Sequence, residues 1–334
     1  MIIGLTYNLR SDITPDPDDP TDRYEEFDAD ETVDALDSAL RLMGHEPHRL
    51  GWGRPMLARL ESLSQKGVRL DGVFNMAEGI GGRGRESQVP AVLEMLGIPF
   101  SGSDPLTIGL SLDKGLAKML ARSHGIATAP FRVVSAPDQL SGAGLEFPLF
   151  VKPAAEGSSM GITSASLCSD EGSMHHYASH LLSTYGGAVL IEEFLPGAEL
   201  TVGVVGNGAS ARIIGAMQIV PKRPAGDFIY SLEVKRDYLN QVDYLYPPPV
   251  GAQLLSDVLD LAMSIYRVFQ CRDVARIDVR CDRAGRPNFV ELNPLPGINP
   301  NYSDLVILAR LAGWTYEALI GAIMESAIQR WSAS

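Results

Sequence analysis

Residues 275–297 read ARIDVRCDRAGRPNFVELNPLPG, and no other stretch limits the fold as tightly. Two strand-like runs flank a turn at 282–285, so the segment predicts an antiparallel hairpin. Successive side chains on a strand point to opposite faces, so Arg276 and Asp278 share one face. Glu291 and Asn293 likewise share a face of the partner strand. Pairing the strands gathers two carboxylates, a carboxamide and an arginine. Hard oxygen donors of this kind suit Mg²⁺ bridging phosphates. A surface ladder of cross-strand salt bridges is the other reading of the same residues. The proline-rich turn at 294–297 favours a site, because a rigid turn at a strand end is where sites are built.

Elsewhere strands and helices alternate, which predicts an α/β fold with a parallel sheet at the N-terminus. MIIGLTYN reads as a first strand. DETVDALDSALRLMG has Val33, Leu36, Leu40 and Met43 at helical spacing and ends on Gly44. HEPHRLGW and LDGVFNMAEG read as strands, SQVPAVLEMLG and LDKGLAKMLARSHG as helices. FPLFVKPAAEGSSMGIT reads as a strand, a glycine–serine loop and a second strand. AVLIEEFL is a strand stopped by Pro196 and Gly197. Residues 198–220 read as two strands joined at Gly206-Asn207-Gly208. Residues 221–250 read as a long loop, LLSDVLDLAMSIYRVF and YEALIGAIMESAIQRW as helices.

The net charge of −13 argues against a nucleic-acid partner. Eleven of the acids lie between positions 12 and 34 with one base, Arg23. That run reads as a solvated loop, or as the lip of a site for a cationic amine. No apolar run approaches 18 residues, so no membrane helix is expected. The N-terminus lacks the basic flank of a signal peptide. Cys168, Cys271 and Cys281 show no CxxC spacing, which fits a reducing cytoplasm.

Two more stretches carry chemistry. In VKPAAEGSSMGI, a strand delivers Lys152 to a loop holding Gly157, Ser158, Ser159 and Gly161. Its amides and hydroxyls can cradle phosphate oxygens, or form a plain turn. In VLIEEFLPGAELTV, Glu192 and Glu193 interrupt an apolar strand and Glu199 opens the next. An extended backbone there can meet a purine edge, a glutamate can accept from ribose hydroxyls, and an exposed linker strand is the alternative.

Together and in this order, LDKGLAK, VKPAAEGSSMGI, IEEFLPGAELTV, EVKRDY, ARIDV, VELNPLPGI and ARLAGWTYEALI resemble the ATP-grasp superfamily. Within it they resemble the D-alanine–D-alanine ligase family, over roughly residues 70–325. The resemblance implies a three-domain ATP-grasp fold with an N-terminal parallel-sheet, Rossmann-like domain. The expected divisions are an N-terminal substrate domain (1–110), a central ATP-grasp subdomain (111–196) and a C-terminal one with the metal site (197–334). It implies ATP, with Lys114, Lys152 and Lys235 on its phosphates and Ser158 and Ser159 in the loop that closes over them. Glu192, with the backbone of Glu193 and Leu195, would meet adenine, and Glu199 ribose. Asp278, Glu291 and Asn293 would hold two Mg²⁺ ions, with Mn²⁺ an alternative. Arg276 and the Gly297 N–H would face a developing oxyanion. The substrates would be small amino acids, and a homodimer is common in the family.

The amino-acid pockets depart from the family pattern. LTYNLRSD stands where a Gly-Gly-x-Ser stretch and a glutamate are usual, leaving Glu25, Glu26 or Asp28 to hold an ammonium. Ala77-Glu78-Gly79 replaces a His-Gly. Arg236 follows Lys235 where a lid tyrosine is usual, and Tyr302, with Ser303 beside it, aligns with the serine that receives the acceptor's carboxylate. Arg236, Arg83 or Arg85 can bind a carboxylate bidentately. A ligase for other amino acids or a peptide is therefore the alternative, and a nucleotide-binding protein without catalysis a more distant one.

Overall fold

Three sheets organise the chain, the first parallel and the other two antiparallel. The computed structural model describes residues 1–17, 19–140, 144–223 and 226–332. The first sheet has the order β2-β1-β3 and comes from β1 (Ile2–Thr6), α1 (Asp30–Leu42), β2 (Glu46–Arg49), α2 (Gly53–Gln65) and β3 (Gly72–Asn75). Helices α3 (Gln88–Met95) and α4 (Pro105–Leu112) follow. Helix α1 forms as its spacing predicts: Val33, Leu36 and Leu40 are buried, and Asp30 and Glu31 favour its N-terminal dipole. Gly44 then takes φ +79°, which an L side chain resists.

The second sheet, order β4-β7-β5-β6, comes from α5 (Lys114–Ser123), β4 (Phe131–Val134), β5 (Leu149–Pro153), β6 (Leu167–Cys168), α6 (Glu171–Tyr185) and β7 (Val189–Glu193). Asp113 caps α5 by accepting the Leu116 N–H at 2.9 Å, which fixes where Lys114 starts the helix.

The third sheet has the order β10-β9-β8-β11-β12. Its chain order is β8 (Glu199–Val205), β9 (Arg212–Pro221), α7 (Leu232–Arg236), α8 (Tyr238–Gln241), β10 (Val242–Leu245), α9 (Ala252–Val268), β11 (Val274–Cys281) and β12 (Pro287–Asn293). Helices α10 (Asp304–Leu311) and α11 (Tyr316–Ser332) close the chain. Helix α11 returns to the first sheet, where Ile320, Ile323 and Met324 join Ile3, Leu5 and Leu36 in one core. No single helix among the described residues is long and apolar enough to cross a membrane.

Two expectations need correction. Residues 221–250 are not one long loop: they hold α7, α8 and an edge strand, β10, whose Val242 pairs with Pro221 of β9. The second strand expected directly after the glycine–serine loop is absent at 161–163, where the chain turns; only the two-residue β6 follows.

Candidate active site

The β11–β12 ladder sets Arg276 opposite Asn293 and Asp278 opposite Glu291, with an irregularity just after Asp278. On its other side β11 pairs with β8 and sets Thr201 opposite Asp278. Asp278 accepts from Thr201 Oγ1 at 2.9 Å, Asn293 Nδ2 at 3.2 Å and Arg276 Nη2 at 3.0 Å. The Asn293 amide nitrogen is turned to Asp278, which leaves its Oδ1 without a partner among the described residues. Two carboxylates and a carboxamide oxygen on one sheet face fit a hard divalent cation.

Two lysines approach the same face. Lys114 Nζ lies 2.8 Å from Glu291 Oε1 and also donates to the Glu156 carbonyl. Lys152, on β5, lies 2.8 Å from Glu192 Oε1. One helical turn after Lys114, the buried Lys118 lies 2.8 Å from Glu192 Oε2 and donates to Thr128 Oγ1 at 2.6 Å. Burial alone would raise the Glu291 carboxyl, but Lys114 and Lys152 outweigh it and hold it at about 2. Against the same burial, Lys118 and Lys152 hold Glu192 at about 2.

A cavity of 110 Å³ lies between the second and third sheets, lined among others by Lys152, Ser159, Glu193, Leu195, Glu199 and Asp278. Arg280 pairs with Glu199 at 3.0 Å and stacks 4.7 Å above the Phe194 ring. Ser158 and Ser159 take φ 47° and 60°, the left-handed region that few non-glycine residues occupy. The loop closes on itself through Met160 N–H to Gly157 O and Ile162 N–H to Ser159 O. Ser159 Oγ donates to Tyr230 O at 3.2 Å, and the Lys235 ammonium sits 5.1 Å from the Tyr230 ring centre.

A larger cavity, 460 Å³, adjoins the first. Tyr230, Lys235, Arg276, Glu291 and Asp304 line both, so they stand at the junction. Glu26, Glu78 and Glu86 gather on one wall with carboxylate oxygens within 4.8 Å of one another. Burial, then Glu86 and Glu26, push the Glu78 carboxyl well above its usual range against the pull of Arg85. Burial raises Asp28 to about 8, and burial with Glu26 raises Glu86 to about 8. Elsewhere on the lining, Glu25 pairs with Arg236 of α7 and with Arg10 at 3.4 Å. Gly297 and the exposed Tyr302 line the same cavity. Ser303 is buried, and its Oγ accepts the Asn299 N–H at 2.8 Å.

Of the three arginines that can take a carboxylate, only Arg236 reaches this cavity. Arg83 is held by Asp113 at 2.6 Å, and Arg85 by Glu26 at 2.6 Å and the Ala155 carbonyl at 2.7 Å.

A family model described as D-ala D-ala ligase C-terminus matches residues 120–325. The D-alanine–D-alanine ligase of Bordetella petrii is 32% identical over 86% of this chain and 84% of its own. An uncharacterised protein of Sinorhizobium fredii is also 32% identical, over 90% of this chain and 88% of its own. The chain belongs to the D-alanine–D-alanine ligase family. The Bacillus anthracis D-alanine–D-alanine ligase structure shares the fold, with a TM-score of 0.72 at 23% identity over 100% of this chain and 99% of its own. So does the VanG D-Ala:D-Ser ligase of Enterococcus faecalis, with a TM-score of 0.73 at 19% identity over 97% and 98%. The ligase family uses ATP, and the fold is the three-sheet ATP-grasp arrangement described above.

Several residues of this ligase-family chain were not singled out by sequence alone. Lys118 has a readable signal, since it stands four residues after Lys114 on an amphipathic helix. The Tyr230–Tyr244–Asp304 cluster has none: Tyr230 Oη lies 2.7 Å from Tyr244 Oη and 3.1 Å from Asp304 Oδ1, across 74 residues of chain. Arg280 and Asp22 are likewise visible only in three dimensions.

Proposed function

We propose that the chain is an ATP-dependent carboxylate–amine ligase that joins two small amino acids through an acylphosphate. The observation that carries this is the junction: Arg276 and Glu291 belong to both cavities, with Lys114 2.8 Å from Glu291. A donor carboxylate in the larger cavity thereby meets the end of a triphosphate reaching out of the smaller one. The carboxylate oxygen attacks the γ-phosphorus and ADP leaves. The amine of the second amino acid then attacks the acyl carbon, and phosphate and a proton leave.

Lys152, Lys114 and Lys235 would neutralise phosphate oxygens. The N–H groups at 157–159, which donate to no described residue, would cradle them with the Ser158 hydroxyl, and with the Ser159 hydroxyl once it turns from the Tyr230 carbonyl. Glu193 and Leu195 backbone would meet adenine, and Glu199 ribose. Glu192 serves the site through Lys118 and Lys152, to which its carboxylate is committed. Asp278, Glu291 and Asn293 would hold two Mg²⁺ ions, which supply charge neutralisation on the phosphates when bound. Arg276 and the Gly297 N–H would stabilise the oxyanion on the acyl carbon, each donor worth about 3–4 kcal/mol. The division at about 110 and 196 separates the amino-acid wall from the two nucleotide-holding sheets. A cytoplasmic location goes with ATP as substrate.

One observation favours an acceptor other than alanine: Arg236, beside the lid lysine, adds a guanidinium to the cavity wall. The test is a panel of D- and L-amino acids, alone and in pairs, with ATP and Mg²⁺, reading ADP and phosphate. ADP formation that depends on added amino acid, one kind alone or a pair, and yields a dipeptide supports the ligase reading. No ADP with any pair sinks it.

A further inference from the structure

The acidic run at 12–34 is spent neither on solvent alone nor on the amino-acid cavity alone. We infer that Asp22 and Glu26 in this run position the phosphate-binding loop at 155–161, gripping it at both ends from the N-terminal part of the chain. The inference rests on the ATP reading above.

At the far end, the Gly161 N–H donates to Asp22 Oδ2 at 2.9 Å. The Gly161 carbonyl accepts from Tyr177 Oη at 3.0 Å, so both backbone groups of this residue are held by side chains. Gly161 has φ +64°, and a Cβ there would sit 2.8–3.1 Å from Pro153, Tyr185 and Leu181. The hinge is therefore tight as well as tied. Tyr185 Oη, from α6, lies 2.9 and 2.7 Å from the two Asp22 oxygens and fixes the carboxylate. At the near end Glu26 holds Arg85, which donates to the Ala155 carbonyl at 2.7 Å. A Cβ on Gly157 would fall 1.9 Å from Glu26 Oε1, so the loop passes directly against this carboxylate.

Tyr177 and Tyr185 come from α6, which packs on the same sheet as the loop. Asp22 and Glu26 do not: they enter from the segment that also walls the amino-acid cavity through Glu25 and Glu26. Their grip favours the loop conformation whose free amides face the phosphates. Asp22 touches no reacting group and acts through Gly161, so it is a positioning residue. Glu26 doubles as cavity wall, which makes Asp22 the cleaner residue to test.

The experiment uses the full chain. In hydrogen exchange without nucleotide, Asp22→Ala should speed exchange of the Gly161 amide by about tenfold or more, the loss of one charge-assisted bond. In turnover, KM for ATP should rise by a similar factor while KM for the amino acids and kcat stay within about threefold. Asp22→Asn keeps an acceptor and should recover most of the loss. Should Asp22→Ala fail to fold, Tyr185→Phe leaves the Gly161 bond but frees the carboxylate from α6, and must give a smaller change confined to the same loop. Unchanged exchange at 157–161, an unchanged KM for ATP, or both KM values rising together would overturn the inference. If the wild-type chain neither binds nor turns over Mg·ATP, the ligase reading fails, and the exchange arm alone still decides whether Asp22 holds the loop.

Discussion

Lys118 Nζ stands 2.8 Å from Glu192 Oε2, and Lys152 Nζ stands 2.8 Å from the other oxygen of the same carboxylate. One buried anion thus sits between two buried cations, and one of them, Lys152, borders the cavity between the second and third sheets. Removing the anion strands both ammonium groups. Glu192→Ala is expected to cost about 3–5 kcal/mol in denaturant unfolding, as for other buried pairs that lose one partner. Lys118→Met leaves Glu192 its bond to Lys152 and should cost clearly less. Equal losses in the two variants would show that the three groups do not act as one unit.

The parts of this chain legible in the sequence are those where burial writes a period. Helices α1 and α9 and the β11–β12 hairpin each turn one face to a core, and their residues repeat accordingly. Helix α2 buries only Met56 fully among 13 residues; Leu60 and Leu63 pack half-buried against the same core, so its stripe is thin. Helix α6 buries Met174, Tyr177, Ala178 and Leu181, but histidines and serines dilute the pattern and its start rests on the Asp170–Ser173 capping box. Site residues on one hairpin were readable because strand alternation is local. The arginine contacts were not: nothing local says that Arg83 goes to Asp113 and Arg85 to Glu26 while Arg236 lines the cavity.

Glu291 faces Asp278 across the ladder and Lys114 across the cleft, a position that suits the metal-holding role proposed for it. Glu291→Gln keeps the shape and a hydrogen-bond acceptor for Lys114 but loses the charge. It should lower ADP formation by at least about 10²-fold, from several kcal/mol of lost charge stabilisation. Circular dichroism should be unchanged, and a Mg²⁺ titration should show weaker dependence than in the wild type. Activity within about threefold of wild type would remove Glu291 from the site.

Stability should fall on both sides of about pH 5, for opposite reasons. Glu86 and Asp28 titrate near 8 in the folded chain against ordinary values of 4.5 and 3.8. The folded state then holds protons the unfolded state has released, so stability drops as pH climbs towards 8. Glu192 and Glu291, held at about 2, contribute stability above 4.5 that is lost as pH falls towards 2. In thermal melts across this range, Glu86→Gln should flatten the alkaline limb and spare the acid one. A bound amino acid, whose ammonium offsets the wall of carboxylates, should raise the melting temperature more at pH 8 than at pH 5.

Arg236 and Glu25 join helix α7 to the acidic segment on the lining of the larger cavity. Arg236 is half exposed, so the pair itself is worth only about 0–1 kcal/mol, and replacing it should hardly change the melting temperature. Its effect lies in what the guanidinium offers a substrate: a planar, permanently charged donor that a phenol cannot copy. Arg236→Tyr should therefore shift the ranking of kcat/KM among acceptor amino acids towards D-alanine, by about tenfold against any acceptor with a second carboxylate. KM for ATP should not move, because Lys235 keeps its place over Tyr230. An unchanged ranking with intact turnover would show that Arg236 only fastens the lid and leaves substrate choice to the Glu26–Glu78–Glu86 wall.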